Sequence, residues 1–459
     1  MRPTNSSRPS TINEPRSQPA PGSELELSFT DLLANGQAVG RADGLAVFCF
    51  GPLPGERARV RVTARKRTYA VAHLLELLST SPHRATPFCP VFGRCGGCQV
   101  QHLQYEAQLE WKRSVVRETL ARIGNLHVDV EPCIGMSNGG RAYRNKMSLV
   151  VDRRDRVQFG FYAQRSHDVV PIDGCPIVLP ELDRCIGSLA ALAPDGGLRT
   201  ELRPVRHIVA RAPATGGRAV VACTTPARSD RLPGAALEET LHAQGIVHSY
   251  DLSSQNAILG RHSETLVGRD EIEETIDGIR YRVSPASFFQ VNTEIVARIF
   301  DALSVLLRDC KRVVDLYCGA ATFTLFFARS GCHVVGIEEN RHAVAQARRN
   351  AKLNGLQRSV RFESAAVEKL AEVPWYRKAL AEADAVFLDP PRKGSDEATL
   401  SALAEARVRR VWYLSCDPAT LARDLHFMAA KGYKVERVQP FDMFPQTGHV
   451  EALAQLSLV

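Results

Sequence analysis

The sequence predicts an α/β protein of three domains: a small N-terminal β-barrel, a central β-rich α+β domain and a C-terminal doubly wound domain. Three observations lead to this prediction. Short alternating strands separated by turn residues come first, a long strand-rich stretch follows, and from about residue 290 continuous apolar strands alternate with helical segments. Uniformly apolar strands are typical of parallel sheets covered by helices on both faces. A chain of 459 residues has room for about three domains.

We expect these parts to occupy 1–22 (a disordered tail), 23–80 (the barrel), 81–285 (the central domain) and 286–459 (the C-terminal domain). The tail is rich in Pro, Ser and Arg, and it has neither the apolar core nor the cleavage site of a secretory signal. No run approaches the roughly 20 apolar residues of a membrane helix. We therefore expect a cytoplasmic protein without a membrane partner, and its compartment keeps thiols reduced.

The barrel region contains four predicted strands, separated by the turns ANGQ, RADG and GPLPGE: LELSFTDLL, LAVFCFG, ARVRVTARKR and YAVAHLLELL. In the third strand, Arg57, Arg59 and Arg61 share one face because side chains alternate. Such a face suits either solvent or a nucleic-acid backbone. The net charge of +8 also fits phosphate-bearing partners without requiring them.

The middle of the chain begins with three cysteines in ten residues, CPVFGRCGGC, and continues with a predicted helix over 102–124. Five strands are predicted after it: KMSLVVDRR, VQFGFYA, DVVPI, HIVARA and RAVVACTT. In a reducing compartment the cysteines are poor candidates for a disulfide. Cys89, Cys95 and Cys98 lack a fourth ligand nearby, so a fourth thiolate has to come from a distant part of the chain. Four cysteines suit zinc as well as an iron–sulfur cluster.

The C-terminal domain places polar residues where its predicted strands end. Asp315 and Gly319 follow the first strand, Glu338 ends the second, and Asp389 stands before two prolines at the end of the fourth. Open parallel sheets bind ligands beyond the carboxyl ends of their strands, and an acid at the second position suits the hydroxyls of a ribose.

Two cofactors fit this arrangement of strand, loop and acid. A nicotinamide cofactor needs a G-x-G-x-x-G opening to hold its pyrophosphate on a helix N-terminus. Here Ala320 and Ala321 stand where a second glycine would be. S-adenosylmethionine carries no phosphate and needs no such cradle, so the single glycine favours the methyl donor.

Cys416 ends the fifth strand, RVWYLSC, and Pro418 stops the strand just beyond it. A buried free cysteine is ordinarily a small apolar filler. At a strand end beside the donor it is instead a candidate nucleophile, provided that cations favour the thiolate. Arg392, Lys393 and Arg423 are the candidates for such cations.

Glu451 lies in GHVEAL at the start of the last strand. It is either a surface glutamate or, between Val450 and Ala452, a desolvated carboxylate with a raised pKa that is suited to act as a base.

A thiolate, a base and a methyl donor together fit alkylation of carbon 5 of uracil. That carbon is a poor nucleophile until a thiolate adds to carbon 6. The activated carbon 5 then attacks the methyl group of the donor. The base removes the hydrogen left on carbon 5, and the sulfur is expelled.

Five motifs resemble the RNA uracil-5-methyltransferases and occur in that family's order: SFFQVN, DLYCG, FLDPPRKG, YLSCDPATLARDL and DMFPQTGHVEAL. RAYRNKMSL at 141–149 resembles the family's central domain, and the barrel resembles the TRAM domain of its ribosomal-RNA branch. The resemblance covers nearly all of the chain beyond the first twenty residues.

The resemblance implies roles for residues of this chain. Cys416 is then the nucleophile, Glu451 the base, and Cys89, Cys95, Cys98 and Cys175 the ligands of a [4Fe–4S] cluster with a structural or RNA-positioning role. The positions around S-adenosylmethionine are Gln290, Tyr317, Thr322, Glu338 and Asp389.

The chain departs from the family at two places. Ala321 replaces a common glycine, and Ala365 and Ala366 occupy the region where some members present an asparagine, which Ser364 can replace. Of the adjacent Phe288 and Phe289, one is expected to stack on the flipped base and the other to lie in the core.

The leading hypothesis is thus an enzyme that makes 5-methyluridine in 23S rRNA. Its rivals are the same chemistry on tRNA, a non-catalytic RNA-binding scaffold, and a nicotinamide oxidoreductase that carries a cluster. The sequence does not indicate an oligomeric state, and we expect a monomer.

Overall fold

The computed structural model describes residues 19–154, 156–193, 196–254 and 256–459. The chain divides into two compact units after Ala85. Apart from residues 19–22, the predicted disordered tail lies outside the described residues. Within the described parts, none of the helices combines the length and the apolar character that crossing a membrane requires.

The first unit contains a closed five-stranded barrel in the order β1-β2-β3-β5-β4, which confirms the predicted barrel. Its strands are β1 Glu24–Leu32, β2 Gln37–Ala42, β3 Leu45–Phe50, β4 Arg57–Arg65 and β5 Tyr69–Ser79. The sequence missed β2, because its polar and glycine residues merge with the turns on both sides. A Cβ on Gly40 would lie 3.1 Å from the backbone oxygen of Ser28, a tighter contact than most Cβ atoms make, so glycine suits the close approach of β1 and β2.

The arginine face of β4 is neutralised within the barrel itself. Arg57 and Arg59 lie near Glu26, Arg61 contacts Glu24 at 2.8 Å, and Arg59 also pairs with Glu76. All of these side chains are exposed, so each pair contributes little to stability. Of the two interpretations of this face, the structure favours a solvated row of ion pairs.

The second unit begins with the long helix α1, Tyr105–Gly124, close to the helix predicted over 102–124. Val116 and Leu120 of α1 are buried in the same hydrophobic cluster as the C-terminal sheet. The segment after α1 adds to the edge of that sheet, where Val130 and Ile134 make parallel bridges to Val438 and Phe441. The helix that follows the first three cysteines therefore packs against the C-terminal sheet.

A seven-stranded sheet forms the centre of the chain, in the order β12-β11-β10-β9-β6-β7-β8. Its strands are β6 Lys146–Asp152, β7 Gln158–Tyr162, β8 Val169–Pro171, β9 His207–Arg211, β10 Val220–Thr224, β11 Gly245–Tyr250 and β12 His262–Gly268. The helices α2 Pro180–Ala191, α3 Gly197–Glu201 and α4 Gly234–Thr240 lie among them in the chain. All five strands predicted in this region are present.

One face of the central sheet shares a hydrophobic core with the C-terminal part of the chain. Val209 and Val220 of this face belong to the same buried cluster as Phe289 and Ile295. A hairpin, β13 Ile272–Ile276 and β14 Ile279–Val283, contributes to this cluster as well. The second unit therefore holds both regions together, and the boundary expected at 285/286 stays a prediction.

The C-terminal sheet has the order β17-β16-β15-β18-β19-β21-β20. Its first five strands in this order are parallel, and β21 is antiparallel to both β19 and β20. This arrangement confirms the predicted doubly wound sheet, and β20 and β21 form an antiparallel edge. Its strands are β15 Arg312–Leu316, β16 His333–Glu338, β17 Val360–Ser364, β18 Ala385–Leu388, β19 Arg410–Ser415, β20 Tyr433–Phe441 and β21 Glu451–Leu458. Its helices are α5 Thr293–Leu306, α6 Thr322–Arg329, α7 Arg341–Leu353, α8 Pro374–Ala381, α9 Glu397–Glu405 and α10 Pro418–Ala430, with a short 3-10 helix at Val367–Lys369.

Candidate active site

The register between β19 and β21 brings the two predicted reactive residues together. Ser415, the last residue of β19, stands opposite Ala452. Because the strands are antiparallel, the next residues outward are Cys416 and Glu451, which face each other across the same strand pair. The two residues also influence each other electrostatically. The pairing of two distant segments therefore places a thiol beside a carboxyl at the carboxyl end of the parallel strands.

Glu451 is a buried carboxyl whose hydrogen-bonding capacity is not used up. Its side chain is 4% exposed, and its Oε2 atom has no hydrogen-bond partner within the described part of the chain. Burial raises the pKa of Glu451 to about 8, with a further contribution from Asp389 and opposition from Arg392. The desolvated carboxylate that the sequence suggested is therefore present, and its free oxygen is available to a ligand.

Cys416 is half-buried between β19 and α10, and its pKa is raised to about 11 by burial and then by Glu451 and Asp389. This result corrects the expectation that three cations favour the thiolate. Arg392 does lower the pKa, but Arg423 is paired with Asp424 at 2.7 Å. Lys393 is likewise engaged, with Glu368 at 3.5 Å. The resting sulfur is therefore a thiol, because burial and two carboxyls outweigh one guanidinium.

Asp389 and Gln290 form a hydrogen-bonded pair beside Cys416 and Glu451. Asp389 follows β18, and its Oδ2 atom accepts a hydrogen bond of 3.4 Å from Nε2 of Gln290. Burial raises the pKa of Asp389 to about 7, and the bond from Gln290 opposes this shift. Since Asp389 also acts on both Cys416 and Glu451, three acidic groups share one poorly solvated space.

The loop after β15 is held against the end of β16. The backbone nitrogen of Gly319 donates to Oε2 of Glu338 at 3.1 Å, while Asn340 donates to the other oxygen at 2.8 Å. Gly319 has a φ of +53°, and Tyr317 and Ala321 also adopt left-handed conformations, with φ of +64° and +73°. The position of Ala321 is therefore one where glycine carries less strain, which explains why a glycine is common there.

Tyr317 and Thr322 lie at the two ends of this loop. The Tyr317 hydroxyl is 3.2 Å from the hydroxyl of Ser395. Thr322 is buried at the start of α6, and its carbonyl accepts a hydrogen bond from Tyr281 at 3.0 Å. The structure thus brings Gln290, Tyr317, Thr322, Glu338 and Asp389 to one edge of the sheet, and their contact with S-adenosylmethionine stays a prediction.

Asp315 is a site residue to which the sequence analysis gave no role. It is 1% exposed, its Oδ2 atom accepts a hydrogen bond from Thr324 at 2.5 Å, and its Oδ1 atom has no partner in the described part of the chain. Burial, together with Asp389 and Glu338, raises the pKa of Asp315 to about 8. In the sequence, its position at the end of the first parallel strand was the feature that could have indicated a ligand-binding role.

Of the adjacent Phe288 and Phe289, one is buried and the other is exposed, as the sequence predicted. Phe289 is buried against Tyr281 with ring centroids 5.3 Å apart, whereas Phe288 is 75% exposed. The Phe288 ring lies 4.0 Å from the place where a Cβ on Gly319 would be. Phe288 is therefore the aromatic side chain that is available for stacking beside the cleft.

The segment Asp442–Gly448, here called the support loop, leads directly to the strand that carries Glu451. Asp442 forms a fully buried ion pair with Lys112 of α1, and Lys112 also donates to the carbonyl of Phe444 at 3.1 Å. The hydroxyl of Tyr105 donates to Asp442 at 2.8 Å. The sequence contained Asp442 within a quoted motif but did not indicate its partner, which lies 330 positions away.

A second set of contacts holds the support loop at Gln446, which has a φ of +68°. Gln108 of α1 exchanges two hydrogen bonds with Gln446, of 2.9 and 3.2 Å. The Gln446 carbonyl accepts hydrogen bonds from the nitrogens of Gln99 and Val100, at 3.0 and 3.1 Å. Because Gln99 directly follows Cys98, the loop before Glu451 is attached to the cysteine segment.

The four predicted ligand cysteines come from two segments and lie near one another. Burial, and after it the nearby Cys175, Cys95 and Cys89, raise the pKa of Cys98 to about 12. In the described ranges, however, no three His, Cys, Asp or Glu side chains converge closely enough to hold a metal ion. The donor set is entirely sulfur and free of disulfides, so its chemistry fits a thiolate-held group.

A cavity of about 640 Å³ lies elsewhere, between α1, α5 and β20. Tyr105, Leu109, Val305 and Gln439 are among the residues that line it, and no predicted site residue does so. The candidate active site is therefore defined by Cys416 and Glu451 and not by this cavity.

Comparisons with known proteins concern the family of the chain. Residues 235–458 match the family model for tRNA (Uracil-5-)-methyltransferase, and residues 20–75 match the model of the TRAM domain. An uncharacterized RNA methyltransferase of Halalkalibacterium halodurans is 39% identical over 449 residues, which cover 95% of this chain and 97% of that protein. Another from Listeria innocua is 37% identical over 450 residues, with the same coverage of both chains.

Among solved structures, the chain is similar to the tRNA (uracil-54, C5)-methyltransferase of Pyrococcus abyssi in complex with S-adenosyl-L-homocysteine. The TM-score is 0.74 at 26% sequence identity, and the alignment covers 94% of this chain and 100% of that one.

The buried ion pair of the support loop leads to a prediction about stability. Replacing Lys112 with Met should lower the free energy of unfolding by about 3–5 kcal/mol, because Asp442 is left charged and buried. The additional change Asp442→Asn should restore part of the loss. Urea unfolding curves measure both effects.

Lys434→Met is the matched control for this experiment. Lys434 is 65% exposed and forms a surface pair with Glu436. We expect its removal to change the free energy of unfolding by no more than about 1 kcal/mol. A Lys112→Met protein as stable as this control would contradict the role assigned to the buried pair.

Proposed function

The chain belongs to the S-adenosylmethionine-dependent RNA uracil-5-methyltransferase family and carries a TRAM domain, and from this premise we propose that it methylates carbon 5 of a specific uridine in 23S rRNA. The observation that carries the catalytic part of the proposal is the β19–β21 register, which pairs Ser415 with Ala452 and so brings Cys416 beside Glu451 just beyond that pair. A methyltransferase that acts on an amine or a hydroxyl needs no thiol at this place. A uracil-5-methyltransferase needs both a nucleophile and a base.

Cys416 acts first in the proposed reaction. Its sulfur bonds to carbon 6 of the target uracil, and the electron pair of the ring double bond moves toward carbon 5 and the neighbouring carbonyl. Because the resting group is a thiol, its proton must pass to a carboxyl of the cleft. Asp389 interacts with the sulfur, and its pKa near 7 lies below that of Glu451, so it is the carboxyl that ionises first and can accept this proton.

When bound, S-adenosylmethionine supplies the methyl group that carbon 5 acquires. Glu451 then takes the hydrogen of carbon 5 as a proton. The freed electron pair restores the ring double bond and expels the sulfur of Cys416. The unpartnered Oε2 atom of Glu451 and its raised pKa suit this step, since a base with a pKa near the working pH transfers protons efficiently.

We assign the remaining polar residues of the cleft to the methyl donor. Glu338 holds the glycine loop with one oxygen and stands where an acid can contact a ribose. The orphaned oxygen of Asp315 and the left-handed backbone at Gly319 fit a ligand that lies close to this loop. Gln290, Tyr317, Thr322 and Asp389 complete the set that the resemblance indicated.

The assignment to 23S rRNA is supported by the resemblance of the cysteine segment to the ribosomal-RNA branch. A tRNA substrate is the second candidate, because the Pyrococcus abyssi relative acts on tRNA. Its alignment covers 94% of this chain and so extends into the barrel. The barrel therefore does not separate the two substrates.

The covalent route predicts different consequences for the two reactive residues. Cys416→Ser should abolish methylation and should leave no covalent RNA complex. The Glu451→Gln protein should still form the covalent adduct with the RNA. It should resolve that adduct about 10²–10⁴-fold more slowly, because a general base accelerates a reaction by about that factor. Denaturing gels with RNA that contains 5-fluorouridine, followed by peptide mapping, should place the wild-type adduct on Cys416.

The pH dependence of adduct resolution is a separate test of Glu451 as the base. Since Glu451 must be ionised, resolution of the adduct in the wild-type protein should rise with pH and level off above about 8. Normal turnover by Cys416→Ser would refute the covalent route. An adduct on another cysteine would do the same.

Mass mapping of RNA from cells with and without this protein tests the substrate. We expect one or more 5-methyluridines of 23S rRNA to disappear while those of tRNA persist. Loss from tRNA alone would select the second candidate. Persistence of every 5-methyluridine would remove the proposed function altogether.

We further propose that Cys89, Cys95, Cys98 and Cys175 hold a [4Fe–4S] cluster, whose chemistry here is structural because the methylation transfers no electron. Anaerobically purified protein should contain about four iron and four sulfide ions per chain, and Cys175→Ser should lose them. Cys133→Ser, which changes a buried cysteine outside the set, should retain them. Zinc in place of iron would contradict this assignment.

A further inference from the structure

Two cations next to the cleft, Arg144 and Lys146, are attached to the segment that carries Gln290. Asn145, between them, donates from its backbone to the carbonyl of Val291 at 3.0 Å and from its side chain to the carbonyl of Gln290 at 3.1 Å. Gln290 in turn donates to Asp389. The backbone around Arg144 and Lys146 is therefore fixed relative to the catalytic carboxyls.

The pairing of β6 with β9 shows which way Lys146 points. Lys146 stands directly opposite Arg211, and such residues project from the same face of a sheet. Arg211 donates to the carbonyl of Ser287 at 3.2 Å, and its guanidinium lies 5.7 Å from the centre of the Phe289 ring. This face of the central sheet thus looks toward the segment that presents the exposed Phe288.

This arrangement leaves positive charge without an anion. Across the residues that the structure describes, neither Arg144 nor Lys146 is part of an ion pair, whereas Arg57, Arg59 and Arg61 of the barrel each have a carboxylate partner. Two cations directly opposite each other on neighbouring strands are destabilising. An unpaired cluster at a binding cleft therefore fits an anion that arrives with the substrate.

The lowered pKa of Lys146 shows that, among the residues that the structure describes, no neighbouring anion stabilises its ammonium form. Its pKa is lowered to about 7, first by burial and then by Arg211 and Arg144. Glu274 is the buried carboxyl that acts on Arg211, and its two oxygens already accept hydrogen bonds from the backbone at Ala214 and Thr275. The protein itself therefore does not compensate the charge of Lys146.

We propose that Arg144 and Lys146 form a subsite for a phosphodiester of the RNA strand next to the target uridine. The inference rests on the proposed function, since it places the RNA beside the cleft of Cys416. Lysine and arginine contacts to phosphates position a strand without reading its sequence. An exposed aromatic side chain near a cationic groove is the usual combination for single-stranded nucleic acid.

The test compares Lys146→Met with the matched control Lys378→Met. Lys378 lies on α8, is 75% exposed and has Glu382 as its partner. The probe is a single-stranded oligouridylate, titrated at several salt concentrations. Lys146→Met should raise the Kd about five- to tenfold and should reduce the slope of log K against log salt by about 0.7, the value for one phosphate contact of a single strand. Lys378→Met should change neither quantity.

Two further measurements separate the alternatives. Lys146→Arg should keep the affinity and the salt slope, because the charge remains. The affinity for S-adenosylhomocysteine should be unchanged in Lys146→Met, which also shows that the variant is folded. A weakened affinity for S-adenosylhomocysteine with unchanged RNA binding would overturn the proposal and would assign the cations to the carboxylate of the donor.

The outcomes also distinguish this inference from the proposed function. If wild-type protein forms no adduct with 5-fluorouridine RNA, the proposed function fails, whatever Lys146 does. If the adduct forms and Lys146→Met binds oligouridylate with the wild-type Kd and salt slope, only the phosphate subsite fails.

Discussion

The active site depends on one strand pairing, the insertion of β21 between β19 and β20. All other neighbours in this sheet, from β17 to β19, run parallel and place their carboxyl ends at one edge. Because β21 runs the opposite way, its first residue, and not its last, lies at that edge. Glu451 therefore meets Cys416, although helix α10 and strand β20 separate them in the chain. A shift of one residue in this pairing would turn the Glu451 side chain to the other face of the sheet.

The electrostatics of the cleft follow from this crowding. Cys416, Glu451 and Asp389 all become negative when they ionise, and in a poorly solvated space each makes ionisation of the others less favourable. Arg392 is the guanidinium that offsets this effect. The resting site consequently keeps its protons, which suits a nucleophile that is needed only when a ring is in place to accept the sulfur.

The support loop leads into β21, and its contacts fix the backbone just before Glu451. Lys112 and Tyr105 hold Asp442, while Gln108 and the backbone that follows Cys98 hold Gln446. A loop with this many buried partners has few alternative conformations. The same contacts connect the cysteine segment to β21, so the proposed cluster would act on Glu451, the proposed base, through the protein structure and not through electron transfer.

The sequence by itself determined the alternation of strands and helices, the barrel, the positions of Asp389 and Cys416 at strand ends, and the residues that resemble the family's motifs. These features depend on short-range periodicity and on local chain breakers. It missed β2, whose composition reflects a close approach to β1 rather than its own propensity. Only the tertiary structure decided the partner of Lys112, the neutralisation of the barrel arginines and the raised pKa of Cys416. Each of these depends on which distant groups share a space of low polarity, and no local pattern records that.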